Sequence, residues 1–217
     1  MALGFVFGGG DGGDIIPIIK FDARAGRMFR RDRVNGENEQ VDITSDFKAI
    51  FDFENVETGT INFDTGSAPD FAVVRYGERI PAPPTDKHRP GVRILVKLGK
   101  DSGGDLRELA STAKVFLSGI DRLHNDYLAG VKNNAGKLPI VALTSSLPIT
   151  TGEGTRKSTN YSPVFEIVGW ATRPTDLTYI PRSSSAGGEA ATTTAAAPPA
   201  TGSARVSAPS SSDDDFG

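Results

Sequence analysis

From Asp105 to Val131 the chain reads Asp-Leu-Arg-Glu-Leu-Ala-Ser-Thr-Ala-Lys-Val-Phe-Leu-Ser-Gly-Ile-Asp-Arg-Leu-His-Asn-Asp-Tyr-Leu-Ala-Gly-Val. Apolar residues recur at Leu109, Ala113, Phe116, Ile120, Leu123 and Tyr127, spaced alternately by four and three, which lines one face of an amphipathic helix. Gly103 and Gly104 break the chain ahead of this stretch, and Gly130, Asn133, Asn134 and Gly136 stop it. The spacing predicts a helix over about 105–131.

Everything around that helix has a different period. Ile15–Phe21, Arg27–Arg33, Phe47–Phe53, Thr60–Phe63, Phe71–Tyr76 and Arg93–Leu98 read as short strands separated by Gly, Pro, Asn and Asp. Leu138–Leu143 and Val164–Trp170 read as closing strands, the second rich in residues that suit a pleated surface. The run from Pro81 to Pro90 carries four prolines, which lack a backbone donor, and is expected to be an exposed excursion from the sheet. Strands, one helix, then strands predict a mainly β (α+β) domain. An OB-like five-stranded barrel with a helix between its third and fourth strands fits this order, and a β-sandwich with an inserted helix fits it nearly as well.

The domain is expected to span residues 1–182. From Ser183 onward the composition collapses to Ser, Ala, Thr, Gly and Pro, too poor in apolar groups to offset ordering entropy, so residues 183–217 are expected to be a disordered linker. The tail carries Arg205 against Glu189, Asp213, Asp214 and Asp215, which leaves 23 basic and 23 acidic residues in the body and places the whole net charge of −3 in the tail. A neutral body does not by itself announce a nucleic-acid binder; only the distribution of its cations can.

The most suggestive segment is Arg27-Met28-Phe29-Arg30-Arg31-Asp32-Arg33. In a strand, Arg27, Phe29, Arg31 and Arg33 share one face and set three guanidiniums around a ring. Guanidiniums pair with phosphates and a ring stacks on any base, the chemistry of sequence-tolerant single-strand binding. A solvated edge strand, its arginines paired with Glu37, Glu39 and Asp42, would show the same pattern. Arg75 and Tyr76, Arg93 and Lys97, Lys87 and Arg89, and Arg156, Lys157 and Tyr161 could extend such a surface from strand ends and loops. Trp170 reads as a core or inter-element contact, on the strand face opposite Phe165 and Ile167.

Enzyme signatures are missing. Gly8–Gly13 lacks the Lys-Ser/Thr ending of a phosphate loop, and His88 and His124 stand alone without metal-ligand spacing. No cofactor or metal is expected. The absence of cysteine fits an intracellular protein, and the short apolar start lacks a basic flank, so a cytoplasmic protein without a membrane span is expected.

The closing residues Asp213-Asp214-Asp215-Phe216-Gly217 set an acidic cluster beside one aromatic at the end of the linker. In this the chain resembles bacterial and phage single-stranded DNA-binding proteins, whose OB-fold body is followed by a low-complexity linker and an acidic tip with a terminal Phe. Phe216 is penultimate here and the acidic run is short. The resemblance implies a body that coats single-stranded DNA in replication or recombination. It also implies a tip, Asp213, Asp214, Asp215 and Phe216, that docks on replication or recombination proteins. The alternative from another class is a phage structural or assembly protein whose β domain packs on copies of itself; an accessory module binding only proteins is a third. A homo-oligomer fits any of them, because the helix face could pack on its own body or on another subunit.

Overall fold

The computed structural model describes residues 16–35, 37–64 and 69–182. Those residues form a mainly β unit with one α-helix and ten strands. The strands are β1 (Ile18–Asp22), β2 (Arg27–Val34), β3 (Glu37–Asp42), β4 (Lys48–Phe51), β5 (Glu57–Asn62), β6 (Asp70–Arg75), β7 (Arg89–Leu98), β8 (Leu106–Ser111), β9 (Lys137–Thr151) and β10 (Ser158–Thr172), and the helix is α1 (Lys114–Gly130). The linker and acidic tip at 183–217, and the Gly8–Gly13 loop, lie outside the described residues.

The strands form one mixed sheet in the order β10-β9-β4-β7-β8-β1-β2-β3, in which β1 and β8 run parallel and the other pairs antiparallel. Two strands share one edge of β7: β4 pairs with its C-terminal end (Phe51↔Val96) and β5 with its N-terminal end (Glu57↔Arg93), and β6 extends beyond β5. Between β4 and β5 a 3-10 turn at Phe53–Asn55 bends the chain, fixed by Asn55 Nδ2 donating to the Asp52 carboxylate. The sheet therefore forks at this edge.

Alternation sends Ile19, Phe21, Met28, Ile94 and Leu109 to one face of the sheet, where α1 closes the core with Phe116, Ile120, Leu123 and Tyr127. The Phe165 ring sits at the centre, 6.0 Å from Phe47, 6.1 Å from Phe51 and 6.1 Å from Phe116. Each such ring contributes about 1.5–3 kcal/mol by leaving water. Gly119 lets the helix lie close on β10, since a Cβ there would sit 2.8 Å from the Pro163 carbonyl oxygen.

Four expectations are corrected. The helix begins at Lys114, not Asp105, because Gly103 and Gly104 turn the chain back at φ 128° and 74°, and Leu98 N donates to Asp105 O (2.9 Å). Leu106–Ser111 is thereby drawn into a ladder with β7 (Leu109↔Ile94). The proline run is exposed from Pro81 to Lys87, but His88 is buried and Arg89 and Pro90 begin β7. The β8 ladder with β7 ends at Val92↔Ser111, so at Pro90 only the β5 flank carries a ladder. Trp170 does reach the core, stacked on Tyr127 (5.9 Å), yet on the same side as Phe165 and Ile167. The register shift between Ile167 and Gly169 inserts one residue and restores the parity.

A closed five-stranded barrel is the fourth. Among the described residues no ladder joins the two ends of the sheet. A single backbone bond, Tyr161 N to Ala23 O (2.6 Å), and a side-chain bond, Ser146 Oγ to Gly26 O (2.8 Å), tie the β9–β10 hairpin to the β1–β2 turn.

Candidate nucleic-acid interface

Among the described residues, no second layer of secondary structure covers the face of β1, β2 and β3 turned away from the core. Register places Lys20 opposite Phe29, Gln40 opposite Arg31 and Asn38 opposite Arg33, so these side chains share it. Arg27 lies on the same face but is already engaged, its Nη1 2.8 Å from Asp42 Oδ2. Glu37 and Glu39 stand opposite Val34 and Asp32 and so belong to the other face. Of the arginine pairings weighed from sequence, only the one with Asp42 forms. Arg31, Arg33 and Lys20 make no ion pair among the described residues; Lys20 stands opposite the half-buried Phe29 on β1, Arg31 and Arg33 follow it along β2, and the Arg27-paired Asp42 stands opposite it on β3.

This face runs into a groove of about 890 Å³ between β1, β8 and the β5–β6 hairpin. Lys20, Arg24 and Arg31 line one side and Phe63 and Phe71 the other. Two carboxylates also reach the groove, and both are occupied. Asp22 accepts from the backbone N–H of Arg24 and of Ala25, and with the charges of Lys20 and Arg24 these bonds hold its carboxyl below the usual carboxylate range. Glu108 accepts from Arg93 Nε (2.7 Å) and Arg182 Nε (3.1 Å). With Asp22 counted against Lys20, Arg24 and Arg31, and Glu108 held by Arg93 and Arg182, the groove keeps an excess of positive charge.

The other expected site residues scatter. Arg93 is only 2% exposed, buried between Glu57 and Glu108 with Nη1 donating to Ile180 O (2.9 Å). Burial works against its charge, but the two carboxylates outweigh that and hold the guanidinium above its ordinary value. Lys97 is paired with Asp176. Both lie under the segment 173–182, which Arg173 clamps to Asp52 (2.6 Å) and Glu54 (2.8 Å). Arg75 packs its guanidinium 4.2 Å above the Tyr179 ring, and Tyr76 meets His124 edge-on at 4.8 Å beside α1. Arg156 and Lys157 are exposed near the tip of the β9–β10 hairpin, and Tyr161 packs on Gly26. Lys87 is exposed, and Arg89 Nη1 donates to the carbonyls of Asp86 and His88. The tip residues Asp213, Asp214, Asp215 and Phe216 lie outside the described residues.

Sequence reasoning missed Lys20, Arg24 and Phe63. The signal for Lys20 was present, since it is the one charged residue of the strand segment Ile15–Phe21 and pairing across the turn at 23–26 sets it opposite Phe29; Phe63 had none, because the cations that share its groove come from distant segments.

Among the described residues no group of three or more His, Asp or Glu side chains is placed to hold a metal ion, and no helix is long and apolar enough to cross a membrane. No protein-family model, curated protein or solved structure matches this chain.

Proposed function

We propose that this protein is a sequence-tolerant single-stranded DNA-binding protein of replication or recombination, acting without catalysis in the cytoplasm. One observation carries the reading: among the described residues Lys20, Arg31 and Arg33 stand without ion pairs on the same uncovered sheet face as Phe29, and that face continues into a cationic groove. Phosphates are attracted to such cations whatever the sequence, and a ring stacks only on a base that is not already stacked in a duplex. The curl of the sheet toward the β9–β10 hairpin is the basis for reading the body as OB-like, with a strand crossing its outer face. The acidic tip, Asp213–Asp215 with Phe216, is the docking element for a replication or recombination partner in this scheme.

Fluorescent oligo-dT titrated with the full chain, with matched duplex as competitor, tests the reading. Salt-sensitive preference for the single strand is the expected result; equal binding of duplex, or none of either, overturns it. A second reading rests on Leu147 and Ile149, which are 52% and 39% exposed on one face of the β9–β10 hairpin. A chain that fails to bind oligo-dT but sediments as an oligomer, and becomes monomeric in a Leu147→Ser/Ile149→Ser variant, would be a self-associating structural protein instead.

A further inference from the structure

We infer that Phe63 is a second base-stacking platform, across the groove from the β2 face, and that Arg31 carries the strand from one platform to the other. The inference rests on the single-strand reading above and adds a binding site to it. Phe63 directly follows β5, whose preceding residues Ile61 and Asn62 are buried, yet Phe63 is 46% exposed. The position is built rather than frayed. Asn62 Oδ1 accepts from Asp64 N (2.9 Å) and turns the chain there, while the buried Phe71 ring supports Phe63 edge-on, with centroids 6.3 Å apart and planes at 79°. Phe71 is in turn capped by the Arg182 guanidinium, 5.3 Å from its centroid.

Leaving nearly half of a phenyl in water forgoes burial that the fold uses elsewhere, and here the exposed ring lines a groove with Lys20, Arg24 and Arg31. A purely apolar partner would leave these three cations with only the Asp22 carboxylate to balance them, whereas a nucleotide answers both features with base and phosphate. Arg31 belongs to both surfaces: it lies two residues from Phe29 on the same face of β2, and it lines the groove that Phe63 borders.

The test uses the full chain, oligo-dT and three variants. Phe63→Ala should weaken binding by about 5- to 150-fold, the factor that loss of one base stack implies. Phe63→Trp should retain affinity and place an indole at the platform, whose emission is then quenched on oligo-dT addition beyond any change in the wild type, whose lone Trp170 stacks on Tyr127. Wild-type affinity in Phe63→Ala with an unquenched Phe63→Trp, while Phe29→Ala binds weakly, overturns the Phe63 platform and leaves the single-strand reading standing. Absence of oligo-dT binding by the wild type overturns both.

Discussion

Arg93 stands directly opposite Glu57 across the β5–β7 ladder and reaches sideways to Glu108 on β8, with Nε 2.7 Å from Oε2. One buried cation thus joins three strands, and because its Nη1 also donates to Ile180 O it fastens the segment 173–182 over them. Truncating it leaves the buried Glu57 carboxylate without its counter-charge, with the Tyr179 hydroxyl still donating to it, and leaves Glu108 to Arg182. Arg93→Ala should therefore lose about 3–5 kcal/mol of unfolding free energy in urea. Because Arg93 is away from solvent, oligo-dT affinity measured where the variant is still folded should change little; a large loss of affinity with unchanged stability would reverse this assignment.

His124 supplies a pH dependence. Its ring is half-buried among Phe53, Tyr76 and Tyr127, and this burial pushes its pKa below the ordinary 6.5, with the Asp121 charge pulling the other way. The folded state then binds a proton less readily than the unfolded chain, so stability falls as pH drops below about 6.5 and stops falling once the folded pKa is passed. The melting temperature should decrease over that window, and His124→Phe, which keeps a ring in place, should remove that part of the decrease. An unchanged profile in the variant would assign the pH dependence to other groups.

The residues that misled the sequence reading did so for physical reasons. Leu109 and Phe116 both belong to the core, one from a strand and one from a helix, so their spacing imitates a single helical stripe. Strand β3, Glu-Asn-Glu-Gln-Val-Asp, has no apolar alternation because neither of its faces is fully buried; only its pairing with β2 makes it a strand. The distal half of the β9–β10 hairpin is hidden for the same reason, being exposed from Leu147 to Thr159. Arg93 was legible as a strand residue but not as a buried one, since Glu57 and Glu108, 36 and 15 positions away, become its partners only once the sheet is assembled. The shared face of Arg27, Phe29, Arg31 and Arg33, by contrast, follows from strand parity alone, and β2 has it.

Phe29 separates stacking from simple charge attraction. It is half-buried on the cationic face and is not a member of the core, so Phe29→Ala should leave the fold intact. Binding of oligo-dT should weaken by roughly 1–3 kcal/mol, and Phe29→Tyr, which keeps a stacking face, should restore most of it. Equal affinity of all three proteins would remove Phe29 from the interface and leave the surrounding cations as its only chemistry.

The cations themselves are read from salt. On a single strand each neutralised phosphate contributes roughly 0.7 to the slope of log K against log salt concentration, so Arg31→Ala/Arg33→Ala should flatten that slope by about 1.4. Arg27→Ala should flatten it less, because Asp42 already holds that guanidinium at 2.8 Å. Lys97→Ala should leave it unchanged, since Lys97 is paired with Asp176 beneath the segment 173–182 rather than on the β2 face. The ordering of the three slopes is the informative quantity. If Lys97→Ala flattened the slope as much as the Arg31/Arg33 pair, the strand would have to cross β7, and the β1–β2–β3 face would not be the path of the phosphates.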